Sequence, residues 1–419
     1  MFNVQCLIFN VRYSLFDIRY STFDVRHSLF IIFLLLTSAA FAQSDSTRTE
    51  LPLPKKCIVI EPGIRVGKII KNFPDFPERG PAVLSEINIG QQCSGNKKWH
   101  QLYGYPTAGV ALIYGIMGND NIIGRSFAVL PNLSFTTKKY RRWGFQWKVG
   151  MGFAFFTKKY DRITNPDNRL IGTTMTNMAI GSVDFRYDIS KFYTILLGVS
   201  GIHYSDAHYR LPNIGINFPA INLSLKYYPS GRPKLYKTDS IPDYANKILF
   251  NIRLGFGANE LGGSLHPTGG AKYPIYTGSL FISKRYSHKN NVQLGIHINY
   301  HTAFYDFIVQ QELYSSNQRI RAFTGQIFLG HEFIIGHFGL LTQLGIYFYN
   351  PFFKKHQEIQ GYSEGFSNWI KRVNSNKLGV NYYFMNPLKT TRHNVYLGIA
   401  LKANFGQADF PEISVGCAF

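Results

Sequence analysis

The chain has 419 residues, of which 16% are aromatic and only 16% charged, with 27 Tyr, 35 Phe and 38 Gly. Its 45 Lys+Arg against 24 Asp+Glu give a formal net charge of +21, a balance that suits nucleic acid, membrane phosphates or an acidic glycolipid. Wide rings beside small residues are what the strands of a closed barrel in lipid require, and an export signal near the start excludes nucleic acid as the partner.

Three related stretches open the chain: Phe2-Asn3-Val4 to Tyr13-Ser14, Phe16-Asp17-Ile18-Arg19-Tyr20-Ser21 and Phe23-Asp24-Val25-Arg26-His27-Ser28. Tandem repeats ahead of an export signal read as repetitive DNA or an early start codon, not as a folded domain. The signal follows. An apolar core from Ser28 to Leu36 leads into Thr37-Ser38-Ala39-Ala40-Phe41-Ala42, a small-x-small cleavage site before Gln43. Residues 1–42 are therefore expected to be a signal peptide with its extension, and 43–56 a periplasmic N-terminal segment. No Cys stands at the cleavage position, so no lipoprotein anchor is expected. Cys57, Cys93 and Cys417 remain after cleavage, without CxxC or Cys/His spacing. They carry no metal signal and no cofactor is implied; they read as small apolar residues on strands, with a Cys57–Cys93 disulfide open in an oxidising periplasm.

Beyond the signal no apolar run approaches the roughly 20 residues of a membrane-spanning helix. Strand-type alternation recurs instead. In 143–155 the odd positions are Trp143, Phe145, Trp147, Val149, Met151, Phe153 and Phe155, and the even ones Gly144, Gln146, Lys148, Gly150, Gly152 and Ala154. The same split appears at 292–300 and 395–405. Roughly eight such runs fall in 57–230 and about eight in 246–419, separated by a polar, turn-rich linker at 231–245. The chain ends in Ile413-Ser414-Val415-Gly416-Cys417-Ala418-Phe419, which resembles the terminal strand by which outer-membrane barrels are recognised for insertion. The expected fold is all-β: a transmembrane antiparallel β-barrel in the outer membrane of a Gram-negative-type cell, inserted by the barrel-assembly machinery. One barrel of about sixteen strands is preferred because one insertion signal is evident. The alternative is two eight-stranded barrels from an internal duplication, suggested by Leu197-Gly198-Val199-Ser200-Gly201 beside Leu397-Gly398-Ile399-Ala400-Leu401.

The segment from Gly201 to Asn217 concentrates the candidate chemistry. His203 and Ser205 are two apart on a strand and share the face of Ile195, Leu197 and Val199, while Gly198 and Ser200 take the other. If the apolar face meets lipid, an imidazole and a hydroxyl look into the bilayer. A serine that attacks an ester needs a neighbouring base, a group to orient that base, and donors for the oxyanion. A His and a Ser near a strand end can equally mark the polar interface.

His203-Tyr204-Ser205, then Pro212-Asn213-Ile214-Gly215, resembles the His-x-Ser-Asn and Pro-Asn-x-Gly signature of the PagL-type lipid A 3-O-deacylases. Tyr160-Asp161 with Asn165-Pro166-Asp167-Asn168 and Ile171-Gly172-Thr173 resembles stretches of their longer acyloxyacyl hydrolase relatives. The likeness covers roughly 57–230; the second half shares only the barrel pattern and its Gly406-Gln407-Ala408-Asp409-Phe410 ending. It implies an outer-membrane esterase with a lipid-facing site acting on lipopolysaccharide. Ser205 would be nucleophile, His203 base, Asn217 the residue orienting the ring, and backbone N–H groups near Ala207 the oxyanion donors. Two positions depart from the family. Asp206 stands where the signature has Asn, and its charge would oppose an oxyanion unless protonated or turned away; Asn217 stands where the family has an acidic residue. Arg210, with His208 and Tyr209, and the turns Lys138–Arg142 and Lys158–Tyr160 are candidates for lipid A phosphates. If the second half is a copy, Ala403 and Phe405 replace the pair and leave it without a site. The competing reading is a catalytically impaired barrel with a structural, transport or binding role.

Overall fold

The computed structural model describes residues 57–139, 141–233, 236, 238–241, 243, 244, 246–263, 270–359, 365–388 and 393–419. The expected signal peptide, the 43–56 segment and parts of the 231–245 linker lie outside the described residues.

Eight antiparallel strands form the first barrel: β1 (Cys57–Gly67), β2 (Ala82–Gln92), β3 (Thr107–Ile116), β4 (Arg125–Thr136), β5 (Trp143–Phe156), β6 (Met175–Asp188), β7 (Tyr193–Ser205) and β8 (Ile216–Tyr227). β8 closes on β1, with Ile64 opposite Leu223 and Val66 opposite Ile221. The second barrel is β9 (Ile248–Asn259), β10 (Tyr273–Arg285), β11 (Asn290–His301), β12 (Phe323–Ile335), β13 (Phe338–Tyr349), β14 (Asn374–Tyr383), β15 (Asn394–Asn404) and β16 (Gln407–Ala418). Here β16 closes on β9, with Val415 opposite Leu254. The chain therefore takes the alternative arrangement of two eight-stranded barrels, and the preferred single barrel of about sixteen strands is corrected. The lone terminal signal that favoured one barrel does not bear on closure. Each set of eight satisfies its own first and last strand edges, so no edge is left to join the halves.

Both barrels are inside-out relative to a water-soluble protein. Outward positions are apolar and exposed, including Phe153, Leu197, Val199 and Ile221 in the first barrel and Leu254, Ile346 and Ile413 in the second. Inward positions are polar and buried. In the first lumen the Lys148 ammonium lies 2.5 Å from Glu61 and 2.9 Å from Glu86, Arg65 pairs with Glu86 at 2.9 Å, and Lys226 is 3.5 Å from Glu61. In the second, Lys377 pairs with Glu412 at 2.7 Å, and Glu332 accepts from Asn291, Gln293, Asn381 and Tyr383. Hydrocarbon outside and paired charge inside is what the two-residue period of a strand produces when the solvent is lipid. Eight strands leave a lumen that side chains can fill.

Cys57 stands in register with Gln92, and Cys57, Cys93 and Cys417 are all free thiols. The Cys57–Cys93 bridge left open by the sequence is not formed, and the Cys57 sulfur contacts the Gly231 carbonyl at 3.5 Å.

An even strand count brings the start of β1 and the end of β8 to one end of the first barrel, with the turns 137–142 and 189–192. The segments 68–81, 117–124, 157–174 and 206–215 lie at the other. Glu260 and Gly270 follow β9 in the chain, yet they belong to the compact unit that the first barrel forms.

Replacing Lys148 with Met removes the cation shared by two buried carboxylates and leaves Glu61 only Lys226 at 3.5 Å and Glu86 only Arg65. Breaking a buried charge cluster this way costs on the order of 3–5 kcal/mol. The variant should unfold at clearly lower denaturant than the parent in detergent, and an unchanged midpoint would contradict the pairing.

Candidate active site

The site is built where β7 runs out. On β7 the exposed residues Ile195, Leu197 and Val199 are followed on the same face by Gly201, His203 and Ser205. The register places His203 opposite Asn217 on β8 and Ser205 opposite Asn177 on β6. Directly opposed residues on one face bring their side chains together. The His203 ring Nδ1 and the Asn217 Oδ1 are 2.6 Å apart. An amide oxygen only accepts, so Nδ1 carries the proton and donates it, and Nε2 is the unprotonated nitrogen.

Ser205 is the last residue of β7. The chain then turns sharply, with Ala207 at φ +61° and His208 at φ +67°. Left-handed backbone at residues other than Gly costs roughly 1–3 kcal/mol each and is kept where surrounding structure enforces it. Its effect is to turn the Ala207 N–H back onto Ser205 Oγ, to which it donates at 3.1 Å. A second donor comes from further along the loop: the Asn213 amide reaches the same oxygen at 3.0 Å. Asn213 is itself fixed, because its Oδ1 accepts from the Asp206 N–H at 3.4 Å. Were this oxygen to attack a carbonyl carbon, the oxyanion would develop two bonds away from it, near the same two N–H groups. Gly215 completes the loop at φ +76°; a Cβ there would meet the Tyr204 carbonyl oxygen at 2.7 Å.

The neighbouring 157–174 segment supports this loop. Gly215 N–H donates to Leu170 O at 3.0 Å and Ile214 N–H to Arg169 O at 3.3 Å. Gly172 permits the approach, since a Cβ would lie 2.7 Å from Arg210 O and 2.8 Å from Pro212 O. Asn165 and Asn168 both donate to Ile122 O, at 3.0 and 2.9 Å, and Tyr160 N–H donates to Ile171 O at 2.7 Å. The Asn-Pro-Asp-Asn and Ile-Gly-Thr stretches are thus scaffolding for the site loop.

Each residue singled out from the sequence has a definite place. His203 pairs with Asn217 and the Ala207 N–H with Ser205, and His203 and Ser205 share one face of β7. Asp206 is buried, and its Oδ2 accepts from Thr173 Oγ1 at 3.5 Å. Arg210 is exposed at the rim with Tyr209, while His208 is buried. Lys158 and Lys159 share that end of the barrel. The turn carrying Lys138, Lys139, Arg141 and Arg142 is at the opposite end, where Lys138 caps the Trp143 ring at 3.8 Å. There Lys139 donates to the Gly104 and Tyr105 carbonyls; burial pushes its ammonium down to about 7. Asn213 is the functional candidate that residue-by-residue reasoning passed over, although the Pro-Asn-x-Gly run contained it.

The second barrel also holds a Ser–His contact, with Ser279 Oγ and His297 Nδ1 2.6 Å apart, both buried in the lumen. Lys377 donates to His297 Nε2 at 3.3 Å. The ring proton is therefore on Nδ1, directed at Ser279, and the imidazole cannot deprotonate it. Among the described residues no group of three or more His, Cys, Asp or Glu is arranged to hold a metal ion.

Two family models match. That for lipid A 3-O-deacylase (PagL) covers residues 86–226, and that for the acyloxyacyl hydrolase C-terminal domain covers 248–362. No curated protein matches. Among solved structures, the outer-membrane enzyme PagL is 17% identical, with 39% of this chain and 97% of that chain covered and a TM-score of 0.30. A mutant Rh. blastica porin is 11% identical over 87% of this chain and 99% of its own, with a TM-score of 0.18. The NanC porin is 7% identical over 86% and 98%, with a TM-score of 0.16. Overlaps that low decide nothing, and the assignment rests on the two family models, whose matched segments together span more than half of the sequence. The chain belongs to the PagL lipid A 3-O-deacylase and acyloxyacyl hydrolase family.

Proposed function

We propose that the chain is an outer-membrane serine esterase that removes an ester-linked acyl chain from lipid A of lipopolysaccharide. The observation that carries this reading is the convergence of Ala207 N–H and the Asn213 amide on Ser205 Oγ, on the same outward face as the His203–Asn217 pair. With two N–H donors on the oxygen, the hydroxyl proton is left to point elsewhere.

The steps follow from these positions. His203 Nε2 takes the proton from Ser205 as Oγ bonds to the acyl carbonyl carbon, and the oxyanion is held by the Ala207 N–H and Asn213 amide. Asn217 keeps the imidazole in the tautomer that can accept. The ester C–O bond then breaks, and His203 returns the proton to the departing sugar hydroxyl. Water attacks the acyl-serine with His203 again as base, releasing the fatty acid.

Location supports the substrate. Short turns face the periplasm and longer loops the outside in barrels of this class, so β7 ends at the outer leaflet. β6 sets Ala179 opposite His203 and Gly181 opposite Gly201. The wall just towards the bilayer centre is therefore free of bulky side chains where an acyl chain would lie. Arg210, Lys158, Lys159 and Arg162 are exposed around the same rim, where lipid A phosphates would sit.

Purified protein in detergent should release free 3-hydroxy fatty acid from lipopolysaccharide, and equal release by Ser205→Ala would sink the assignment. Asn217→Ala should lower kcat, whereas Asn217→Glu should raise it by roughly tenfold, because a carboxylate stabilises the imidazolium better than an amide. A Glu variant slower than the parent would show that the site depends on its amide. Asp206→Asn should leave kcat essentially unchanged, since the carboxylate faces Thr173; a large gain would mean that its charge does oppose the oxyanion.

A further inference from the structure

Between Ala207 and Asn213, the two donors to the serine, lies Leu211, which is buried at 2% exposure. Its N–H donates at 3.1 Å to Oε2 of Glu260, a carboxylate 49 positions further along the chain and only 1% exposed. The other carboxylate oxygen accepts from the Gly270 N–H at 3.2 Å. Glu260 and Gly270 both follow β9 in the chain, and both belong to the compact unit that contains the site.

We propose that Glu260 is a positioning residue for the catalytic loop, holding Leu211 so that Asn213 and Ala207 stay aimed at Ser205. The inference rests on the reading of Ser205 as nucleophile. A buried backbone N–H must find an acceptor, and an ionised carboxylate is a strong one. The loop needs such a hold. Two of its residues, Ala207 and His208, keep positive φ without being Gly, a geometry that relaxes unless neighbours enforce it. At its far end the loop is tied to the 157–174 segment through Ile214 and Gly215. At Leu211 it is tied to Glu260. The chemistry also sets the residue type: a carboxylate offers two acceptor oxygens for two N–H groups, whereas Gln offers one acceptor and a donor group in place of the second. A residue from the second half of the chain thereby acts on chemistry performed by the first.

The test uses the full-length protein refolded in detergent, with Glu260→Ala and Glu260→Gln followed by amide hydrogen exchange and by steady-state release of fatty acid from lipopolysaccharide. Exchange should rise at Leu211 and along 206–213 but not in β7 or β8. kcat should fall by about tenfold or more in the Ala variant with KM little changed, because misplaced donors cost transition-state stabilisation and not substrate binding. The Gln variant, which keeps one acceptor, should fall between Ala and parent, and it carries the same two readouts if the Ala variant does not fold. Unchanged exchange at Leu211, or raised exchange with unchanged kcat, would overturn the proposal. Should the parent itself release no fatty acid, the esterase reading fails separately, and the exchange at Leu211 still decides whether Glu260 holds the loop.

Discussion

In hydrocarbon an unpaired backbone N–H or C=O has no water to turn to, and this forces every strand edge of the chain to be closed. Closure in turn fixes the two faces of each strand. Because successive side chains alternate, the wall that meets lipid is made of residues such as Leu197, Val199 and Ile221, and the lumen of residues such as Glu61, Lys148 and Lys226. Polar groups on the outer face are therefore costly unless they lie at the boundary, and His203 and Ser205 lie at the end of β7, where the lipid face gives way to the loop.

The chemistry follows from that boundary position. A serine at the rim of a barrel can meet an ester embedded in the leaflet without drawing the substrate into a cavity, and the filled lumen need not open. What the rim lacks is the enclosure of a cleft, which ordinarily holds oxyanion donors in place. In the proposed mechanism the strained turn at Ala207 and His208, the close contact of Gly172 with the 206–215 segment, and the bond from Leu211 to Glu260 would take over that task. Asp206 is accommodated because the turn carries its carboxylate towards Thr173. In the proposed mechanism Asn217, buried beside the ring, would supply orientation without charge.

Local pattern made much of this architecture legible. The two-residue period of 143–155 reads directly as β5, and the spacing of Ile195, Leu197, Val199, His203 and Ser205 reads directly as one face of β7. The partition into two barrels was not legible, because whether β8 pairs with β1 or with β9 leaves no mark on the alternation of either strand. The turn after Ser205 was hidden for a related reason: positive φ at Ala207 and His208 has no glycine to announce it, so the return of Asn213 onto the serine could not be read from spacing. Gly215 was the one visible sign, since it marks a tight return at the end of that loop. Glu260 gave none. Cys57 and Cys93 left a bridge open, and the structure keeps them as free buried thiols, with Cys57 in register with Gln92.

The central claim is that an outward-facing serine at the outer-leaflet end of the first barrel cuts lipid A. The most direct measurement is the mass spectrum of lipid A extracted from cells that carry the parent protein or its Ser205→Ala variant at equal outer-membrane levels. The parent should produce lipid A lighter by one ester-linked acyl chain, and the variant should not. Identical spectra, with every acyl chain retained in both, would contradict the account.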